Sequence, residues 1–309
     1  MDFNLIDEQS DVLDAVGTLL ERRAGSDRMM NLGGDSPSYD WDLDRELLAS
    51  GYADIARTSG LLDAALVLEA VSASLGVTAF AAHALVAPGL CDDAIEGPIA
   101  LTTTDHRGPV RFGAEARTVL VLDVGNDRAL VTRPSPGTSR SVTSRFGYPL
   151  GTVGEPAAPV EMLGPGSGRR LLALWRCALA VELAGMMRAA LDATVAYVSG
   201  RSQFGQPIGS FQAVQHRLAE TAVLAEGARW LALEAAWLGA PEEASATAIV
   251  HAAEAARRTT METHQLTGAI GLTTEYGLHL WTMRMAALVV EAGWVGSADQ
   301  DLVMARWRS

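Results

Sequence analysis

Apolar residues follow a helical spacing over the first ninety residues of the chain. Between residues 5 and 20 they recur every three or four positions, which puts them on one face of an amphipathic helix. The same spacing predicts a short helix over residues 41–55 and a third helix over 61–85, which is apolar on nearly all sides and therefore buried. We expect an N-terminal helical domain over residues 1–96.

The period changes twice further along the chain. Between residues 97 and 163, short β-branched runs such as ARTVLVLDV alternate with turn sequences such as Pro-Ser-Pro-Gly, which predicts a small antiparallel sheet of about five strands. The helical period returns at residue 169, and four long segments predict a C-terminal four-helix bundle over residues 164–309. The predicted fold is mainly α with a small β domain.

Composition narrows the function classes. The chain has 309 residues, 49% of them apolar and 20% charged, as in globular proteins, and its net charge of −13 argues against binding to nucleic acid. Charged residues interrupt the most apolar stretches, so none predicts a membrane span. Cys91 and Cys177 are too few for a disulfide scaffold and, like the six histidines, show no metal-ligand spacing. We expect a cytoplasmic protein without a metal.

One segment combines a cation with aromatic and amide side chains. It runs from Tyr197 to Glu220 and reads YVSGRSQFGQPIGSFQAVQHRLAE. Arg201 follows a long predicted helix, and a guanidinium there suits a pyrophosphate because it is always charged and binds two oxygens at once. Phe204 and Phe211 add apolar planes at the two ends of the turn. The alternative is an ordinary loop whose arginine pairs with a nearby carboxylate.

A second segment is rich in glycine at the end of a helix. It runs from Gln265 to Leu280 and reads QLTGAIGLTTEYGLHL. Gly268 and Gly271 allow a tight helix end and a close approach of backbone N–H groups to a ligand. The alternative is a glycine-terminated helix hairpin without a ligand.

Both segments resemble the C-terminal domain of the acyl-CoA dehydrogenase family. In that family the R-x-Q-F-G-x-P-I core joins two long helices, and the Q-x-x-G-(G/A)-x-G segment joins the last two. The resemblance implies an FAD cofactor and the α,β-dehydrogenation of an acyl-CoA, in which a carboxylate removes the α-proton and a hydride passes to the flavin. It also implies nine cofactor-binding residues: Arg201, Gln203, Phe204, Phe211, Gln212, Gln265, Leu266, Gly268 and Ala269.

The catalytic base that the family requires is missing from its two usual positions. The first position falls on Trp175, which cannot take a proton, and Glu182 lies seven residues on, about 10.5 Å further along the helix. The second falls on Ala292, or on Gly293 with one inserted residue. The nearby Glu291 becomes the base if the alignment slips by one or two residues; otherwise it is an exposed acid at a helix end.

The middle domain also departs from the family, because it lacks the Gly-Ser-Asp loop and the tryptophan-containing strand that hold the flavin there. In dimers of the family, the flavin rests on the sheet domain of one subunit, and the arginine turn and the glycine loop reach it from the neighbour. This chain keeps the arginine turn and the glycine loop, which in the family reach the flavin of a neighbouring subunit, and lacks the elements with which a subunit holds its own flavin. We therefore predict a non-catalytic subunit that completes the FAD site of a full-length subunit, similar to the α₂β₂ acyl-CoA dehydrogenases of actinobacterial sterol breakdown.

Two other functions remain open from the sequence. One is a self-sufficient FAD enzyme with Glu291 as base, and the other is a flavin-free scaffold subunit. The acyl group is also open, from fatty-acid to sterol-derived, because the small residues Ala178, Ala184 and Gly185 either leave room for a bulky ring or let helices pack closely.

Overall fold

The computed structural model describes residues 4–295 and 297–307. The N-terminal region is helical, and two of its short connections are a 3₁₀ turn over Tyr52–Asp54 and a π-helical turn over Ala81–Val86 that leads into its last helix. Its helices are α1 (Asp7–Arg23), α2 (Ser26–Asn31), α3 (Trp41–Ala49), α4 (Ile55–Thr58), α5 (Leu61–Ala73) and α6 (Ala87–Leu90).

The predicted helix over 61–85 is two segments in the structure. Helix α5 ends in a Schellman motif, in which Leu75 adopts a left-handed φ of 58° and its N–H bonds the carbonyl of Ser72. The N–H of Gly76 bonds the carbonyl of Val71 at 2.9 Å. The sequence-based prediction of one helix is wrong here because apolar periodicity does not register a single left-handed residue.

The middle region contains seven strands in two sheets: β1 (Ile99–Thr103), β2 (Val110–Arg111), β3 (Thr118–Asp123), β4 (Arg128–Pro134), β5 (Arg140–Val142), β6 (Leu150–Thr152) and β7 (Pro156–Met162). The order in the larger sheet is β1-β3-β4-β7 and in the smaller one β2-β6-β5. The expected single antiparallel sheet of about five strands is wrong in two respects. The strands form two sheets, and β1 and β3 are parallel, with Ile99 beside Thr118. The chain leaves for the second sheet at β2 and returns beside β1 in the same direction.

The C-terminal region begins with the longest helix of the chain, whose 34 residues span about 51 Å. Its helices are α7 (Ser167–Gly200), α8 (Gln212–Trp237), α9 (Glu242–Thr267), α10 (Leu278–Val295) and α11 (Ala298–Trp307), with the two-residue strands β8 (Ser202–Gln203) and β9 (Gln206–Pro207) between α7 and α8. Because α7 to α10 form the bundle with alternating direction, the ends of α7 and α9 meet the starts of α8 and α10. We call this the hairpin end of the bundle, because it carries the pair of strands β8 and β9.

The three regions share one hydrophobic core. It is continuous from Val16 in the first helix through Leu120 in the sheet to Trp175 and Leu288 in the bundle. None of the helices within the described ranges is long and apolar enough to cross a membrane.

Candidate functional site

The turn after α7 holds two side chains in an unusual arrangement. Ser202–Gln203 and Gln206–Pro207 pair as a hairpin whose two central residues, Phe204 and Gly205, both have positive φ, at 55° and 83°. Two positive values are the signature of a type I′ hairpin turn, where glycine and asparagine are usual and phenylalanine is strained. The backbone holds the Phe204 ring almost wholly in solvent, 92% exposed.

Arg201 lies at the base of this turn and is exposed. Its N–H bonds the carbonyl of Tyr197 at 2.9 Å and its carbonyl accepts from Ile208 N–H at 2.8 Å, so its backbone is fixed at both groups. Its guanidinium makes no ion pair or hydrogen bond with any residue of the described chain. The interpretation of Arg201 as an ordinary loop arginine paired to a carboxylate is therefore not what the structure shows.

The remaining predicted residues of the turn lie close to Arg201 in the chain. The ring of Phe204 meets that of Phe211 edge to face, with centroids 6.2 Å apart. Gln203 is exposed and bonds only the neighbouring carbonyl of Ser202, while Gln212 is exposed in the first turn of α8. The turn therefore presents a free cation, two aromatic rings and two amides to solvent.

The glycine-rich segment forms the other half of the same end. Helix α9 ends at Thr267, and Gly268 takes a φ of 66° before a 3₁₀ turn over Gly268–Leu272. Gln265, Gly268 and Ala269 are exposed and Leu266 is half-buried. Since α7 and α9 finish at the same end of the bundle, the structure brings both predicted segments to one surface.

A different group of charged side chains lies in the interior, where the sheet region meets the bundle. Arg111 on β2 donates to both oxygens of Glu182 at 2.9 and 3.1 Å, and to both oxygens of Glu291 at 2.6 and 3.1 Å. Glu291 also accepts from the indole N–H of Trp175 at 2.7 Å. Each of the three charged side chains is at most 10% exposed. We call Arg111, Glu182 and Glu291 the buried charge cluster.

Tyr148 and Arg284 extend this arrangement. The Tyr148 ring contacts two guanidinium groups, with its centroid 4.9 Å from Cζ of Arg111 and 4.5 Å from Cζ of Arg284. Arg284 is fully buried and donates to the carbonyls of Gly147 and Gly76 at 2.8 and 2.9 Å. Two arginines thus face two glutamates, and the formal charges cancel.

Burial and charge act in opposite directions on these groups. Burial alone lowers the pKa of Arg111, but its two carboxylate partners outweigh that effect and raise this pKa well above its usual value. Burial raises the pKa of Glu182, and Arg111 offsets part of the rise. Burial also lowers the pKa of Arg284. Arg111 is therefore a permanent cation, and the cluster cannot be taken apart by losing its proton.

Glu291 differs from the exposed helix-end acid that one interpretation of the sequence assumes. It is 6% exposed, because α10 continues to Val295 and Glu291 lies on the inner face of that helix. The cavity beside it has a volume of about 20 Å³ and is lined by Arg111, Trp175 and several small apolar residues. That volume holds about one water molecule. Both oxygens of Glu291 already accept hydrogen bonds there.

Sequence reasoning did not identify Arg111. A single arginine in a short strand carries no motif, and its two partners lie 71 and 180 residues away. The weak signal was the presence of two glutamates on apolar helix faces, because buried carboxylates require a partner. That signal indicates a cation without saying which one.

The two regions differ in their fit to FAD. An unpaired guanidinium beside exposed aromatic rings and a glycine-rich helix end matches an anionic pyrophosphate joined to a flat heterocycle. The interior fits neither an acyl chain nor a flavin ring, since its cavity is about 20 Å³ and its carboxylate is paired with Arg111. The residues at the hairpin end therefore fit part of FAD, and those of the interior do not.

These features define an acyl-CoA dehydrogenase fold, and comparison with known proteins supports the resemblance. Residues 168–294 match the family model described as acyl-CoA dehydrogenase, C-terminal domain. The acyl-CoA dehydrogenase FadE34 of Mycobacterium tuberculosis is 36% identical over 218 residues, which are 66% of this chain and 29% of that protein. The chain thus spans less than a third of that relative. The C-terminal region belongs to the acyl-CoA dehydrogenase family, as the sequence predicted.

Solved structures extend the likeness in fold to the whole chain. The ChsE4-ChsE5 complex from Mycobacterium tuberculosis contains a chain with a TM-score of 0.78 and 23% identity, covering 99% of this chain and 98% of that one. A chain of the Tcur3481-Tcur3483 steroid ACAD has a TM-score of 0.75 and 23% identity, with 96% of each chain covered. The predicted fold class, helical with a small sheet region and a C-terminal bundle, is confirmed.

Proposed function

We propose that this chain is a non-catalytic subunit of a flavin-dependent acyl-CoA dehydrogenase and that it completes the FAD site of a full-length subunit. The observation that carries the proposal is Arg201, an exposed guanidinium without a partner in the described chain, beside the strained and exposed ring of Phe204. Neither side chain contributes to folding in a way that explains its conformation. An external anion with a flat ring system satisfies both.

In this proposal, the hairpin end holds the FAD of the partner subunit. Arg201 binds the pyrophosphate through its two parallel N–H groups, and the amides of Gln203 and Gln212 add hydrogen bonds. Phe204 and Phe211 provide apolar contact, while the segment from Gln265 through Leu266 and Gly268 to Ala269 offers backbone N–H groups. When bound, FAD supplies the hydride-accepting chemistry of the family; the residues of this chain bind and orient it.

The buried charge cluster supports the non-catalytic part of the proposal. A general base must reach the proton that it removes, within hydrogen-bond distance or through one water. Glu291 is enclosed, accepts from Arg111 and Trp175, and faces a cavity of about 20 Å³. A self-sufficient enzyme with Glu291 as base therefore requires Arg111 to release it and the interior to open.

The names of the structural neighbours support the finer points. ChsE4-ChsE5 and Tcur3481-Tcur3483 are each complexes of two different chains, and the second is called a steroid ACAD. We infer a heterotetramer with a full-length acyl-CoA dehydrogenase subunit, acting in the cytoplasm on an acyl-CoA from lipid breakdown, with sterol-derived acyl-CoA as the first substrate to try.

The proposal is tested by measuring FAD per chain. The chain is purified alone and after co-expression with full-length acyl-CoA dehydrogenase subunits from its own genome, and flavin is quantified by absorbance. We expect little FAD in the isolated chain and one FAD for each pair of unlike subunits in the complex. Arg201→Ala is compared with Arg257→Ala, which removes an exposed arginine of α9 that pairs with Glu254.

The outcomes separate the three functions. Loss of FAD from the complex with Arg201→Ala but not with Arg257→Ala supports the proposal. A stoichiometric FAD spectrum from the isolated chain overturns it in favour of the self-sufficient enzyme, which then loses turnover with Glu291→Gln. An Arg201→Ala complex with unchanged FAD and activity points instead to a scaffold subunit.

A further inference from the structure

The two halves of the hairpin end are far apart in sequence, and Tyr276 connects them in space. Its hydroxyl donates to the carbonyl of Ala193 on α7 at 2.6 Å. Its ring packs on that of Tyr197, with centroids 5.4 Å apart and planes tilted by 51°. Tyr276 lies in the glycine-rich segment shortly before α10 begins at Leu278, so these contacts tie that segment to α7.

The contacts of Tyr276 lead directly to Arg201. Ala193 and Tyr197 lie four residues apart on one face of the last two turns of α7, and Arg201 follows the end of the helix four residues after Tyr197. The N–H of Arg201 bonds the carbonyl of Tyr197 at 2.9 Å. A displacement of Tyr197 therefore moves the residue whose guanidinium is free.

The other side of Tyr276 is equally constrained. Its carbonyl lies 3.1 Å from Nδ1 of His279, the second residue of α10. Gly271, five residues earlier, packs so closely on Thr267 that a Cβ at that position would overlap the Thr267 hydroxyl oxygen. The Thr267 hydroxyl in turn donates to the carbonyl of Thr263 at 2.8 Å. These contacts connect the glycine-rich segment to the end of α9 and the start of α10, and Tyr276 connects it to α7.

We infer that Tyr276 is a positioning residue that sets the distance between Arg201 and the segment from Gln265 to Ala269. This inference rests on the proposed function, because a fixed distance matters only if one ligand contacts both parts. Tyr276 touches neither the cofactor nor the acyl group in this account. It acts through Arg201 on one side and through the glycine-rich segment on the other.

The test uses the complex with its full-length subunit and a titration of the flavin-free complex with FAD. Tyr276→Phe keeps the ring packing and removes one hydrogen bond, so we expect FAD to bind about two- to tenfold more weakly. Tyr276→Ala removes the ring as well and has a larger effect. Turnover at saturating FAD stays at the level of the unmodified complex. Tyr52→Phe, at a partly buried tyrosine of the N-terminal region, is the control and leaves FAD affinity unchanged.

A double-mutant cycle distinguishes positioning from general support of the fold. If Tyr276 acts through Arg201, the effect of Tyr276→Phe shrinks in an Arg201→Ala background, whereas a merely structural role gives the same effect in both. Equal FAD affinity of the Tyr276→Phe and unmodified complexes overturns the inference, as does an effect of the same size in both backgrounds. An Arg201→Ala complex that keeps its FAD affinity contradicts the proposed function itself, so the two failures are distinguishable.

A second measurement needs only the isolated chain. Amide hydrogen exchange reports local opening of the backbone. With Tyr276→Phe we expect faster exchange in residues 265–272 and 201–208, and no change in the sheet region. Unchanged exchange in both segments contradicts the role of Tyr276 as the connection between them.

Discussion

The charged side chains of the hairpin end and those of the buried charge cluster differ in their surroundings. Arg201 is exposed and has no partner in the part of the chain that the structure describes, whereas Arg111 is enclosed by two carboxylates and an aromatic ring. A buried charge is stable only with partners, while an exposed one needs none to fold. The comparison shows that the charges of the interior are paired within the chain, whereas the hairpin end leaves the Arg201 guanidinium exposed, which is the group that we propose binds FAD.

The aromatic residues of the two regions differ in the same way. Trp175 is fully buried and donates to Glu291, so it satisfies a carboxylate that folding has enclosed. Phe204 is 92% exposed and held in a left-handed conformation, so it lowers stability and gains no enclosing contact. Substitutions in the two regions should therefore change stability by different amounts and in different directions.

The largest effect is expected from Arg111→Met. It leaves Glu182 and Glu291 buried without their cation, and breaking a buried ion pair in this way costs about 3–5 kcal/mol. The free energy of unfolding of the isolated chain, measured with urea, checks this. Arg117→Met is the matched control, because Arg117 lies in the same region but pairs with Glu96 on the surface, a contact that contributes about 1 kcal/mol or less. Equal losses for the two variants contradict the importance of the cluster.

A smaller effect, dependent on pH, is expected from Glu182→Gln. Because burial raises the pKa of Glu182 above its ordinary value of 4.5, the folded state binds its proton more tightly than the unfolded state. The unmodified chain is therefore stabilised relative to the variant most strongly below about pH 4.5. This difference in unfolding free energy falls as the pH rises through the folded-state pKa of Glu182. Urea unfolding across this range measures it, with the exposed Glu96→Gln as control. A difference that grows with pH contradicts the direction of the shift.

Phe204→Asn should have the opposite sign. Asparagine before Gly205 makes the preferred type I′ turn sequence and relieves the left-handed phenylalanine, so we expect the isolated chain to gain about 1 kcal/mol. The same variant should lower FAD retention in the complex. Phe146→Asn, at an exposed phenylalanine without positive φ, gives no such gain. A variant that is both more stable and fully active contradicts a binding role for this ring.

The smallest change in stability is expected from Arg201→Ala. Its guanidinium has no partner within the described residues, so the unfolding free energy of the isolated chain should stay within about 0.5 kcal/mol of the unmodified value. Urea unfolding beside the FAD measurement completes the comparison with Arg111→Met. A loss of 2 kcal/mol or more would mean that Arg201 supports the fold and is not held free for a ligand.

Local patterns in the sequence predicted most of the helices and drew attention to the two segments that we propose for FAD. The three regimes of apolar spacing predicted the three regions, since burial of one helix face or one strand face leaves its period in the chain. The segments from Arg201 to Gln212 and from Gln265 to Ala269 stand out in the sequence because each is short and its chemistry lies within it, and their role in binding FAD stays a prediction. The conformation of a single residue, such as the left-handed Leu75 that splits one predicted helix in two, could not be predicted from these patterns.

The sequence by itself determined the fold class, the family of the C-terminal region and the two segments that we propose for FAD. Only the tertiary structure decided that these segments share one end of the bundle through Tyr276, and that Glu291 is enclosed by Arg111. The physical reason is the distance along the chain over which each kind of interaction acts. Periodicity and turn chemistry act over a few residues, whereas an ion pair between residues 111 and 291 depends on how sheet and bundle pack, which no local pattern records.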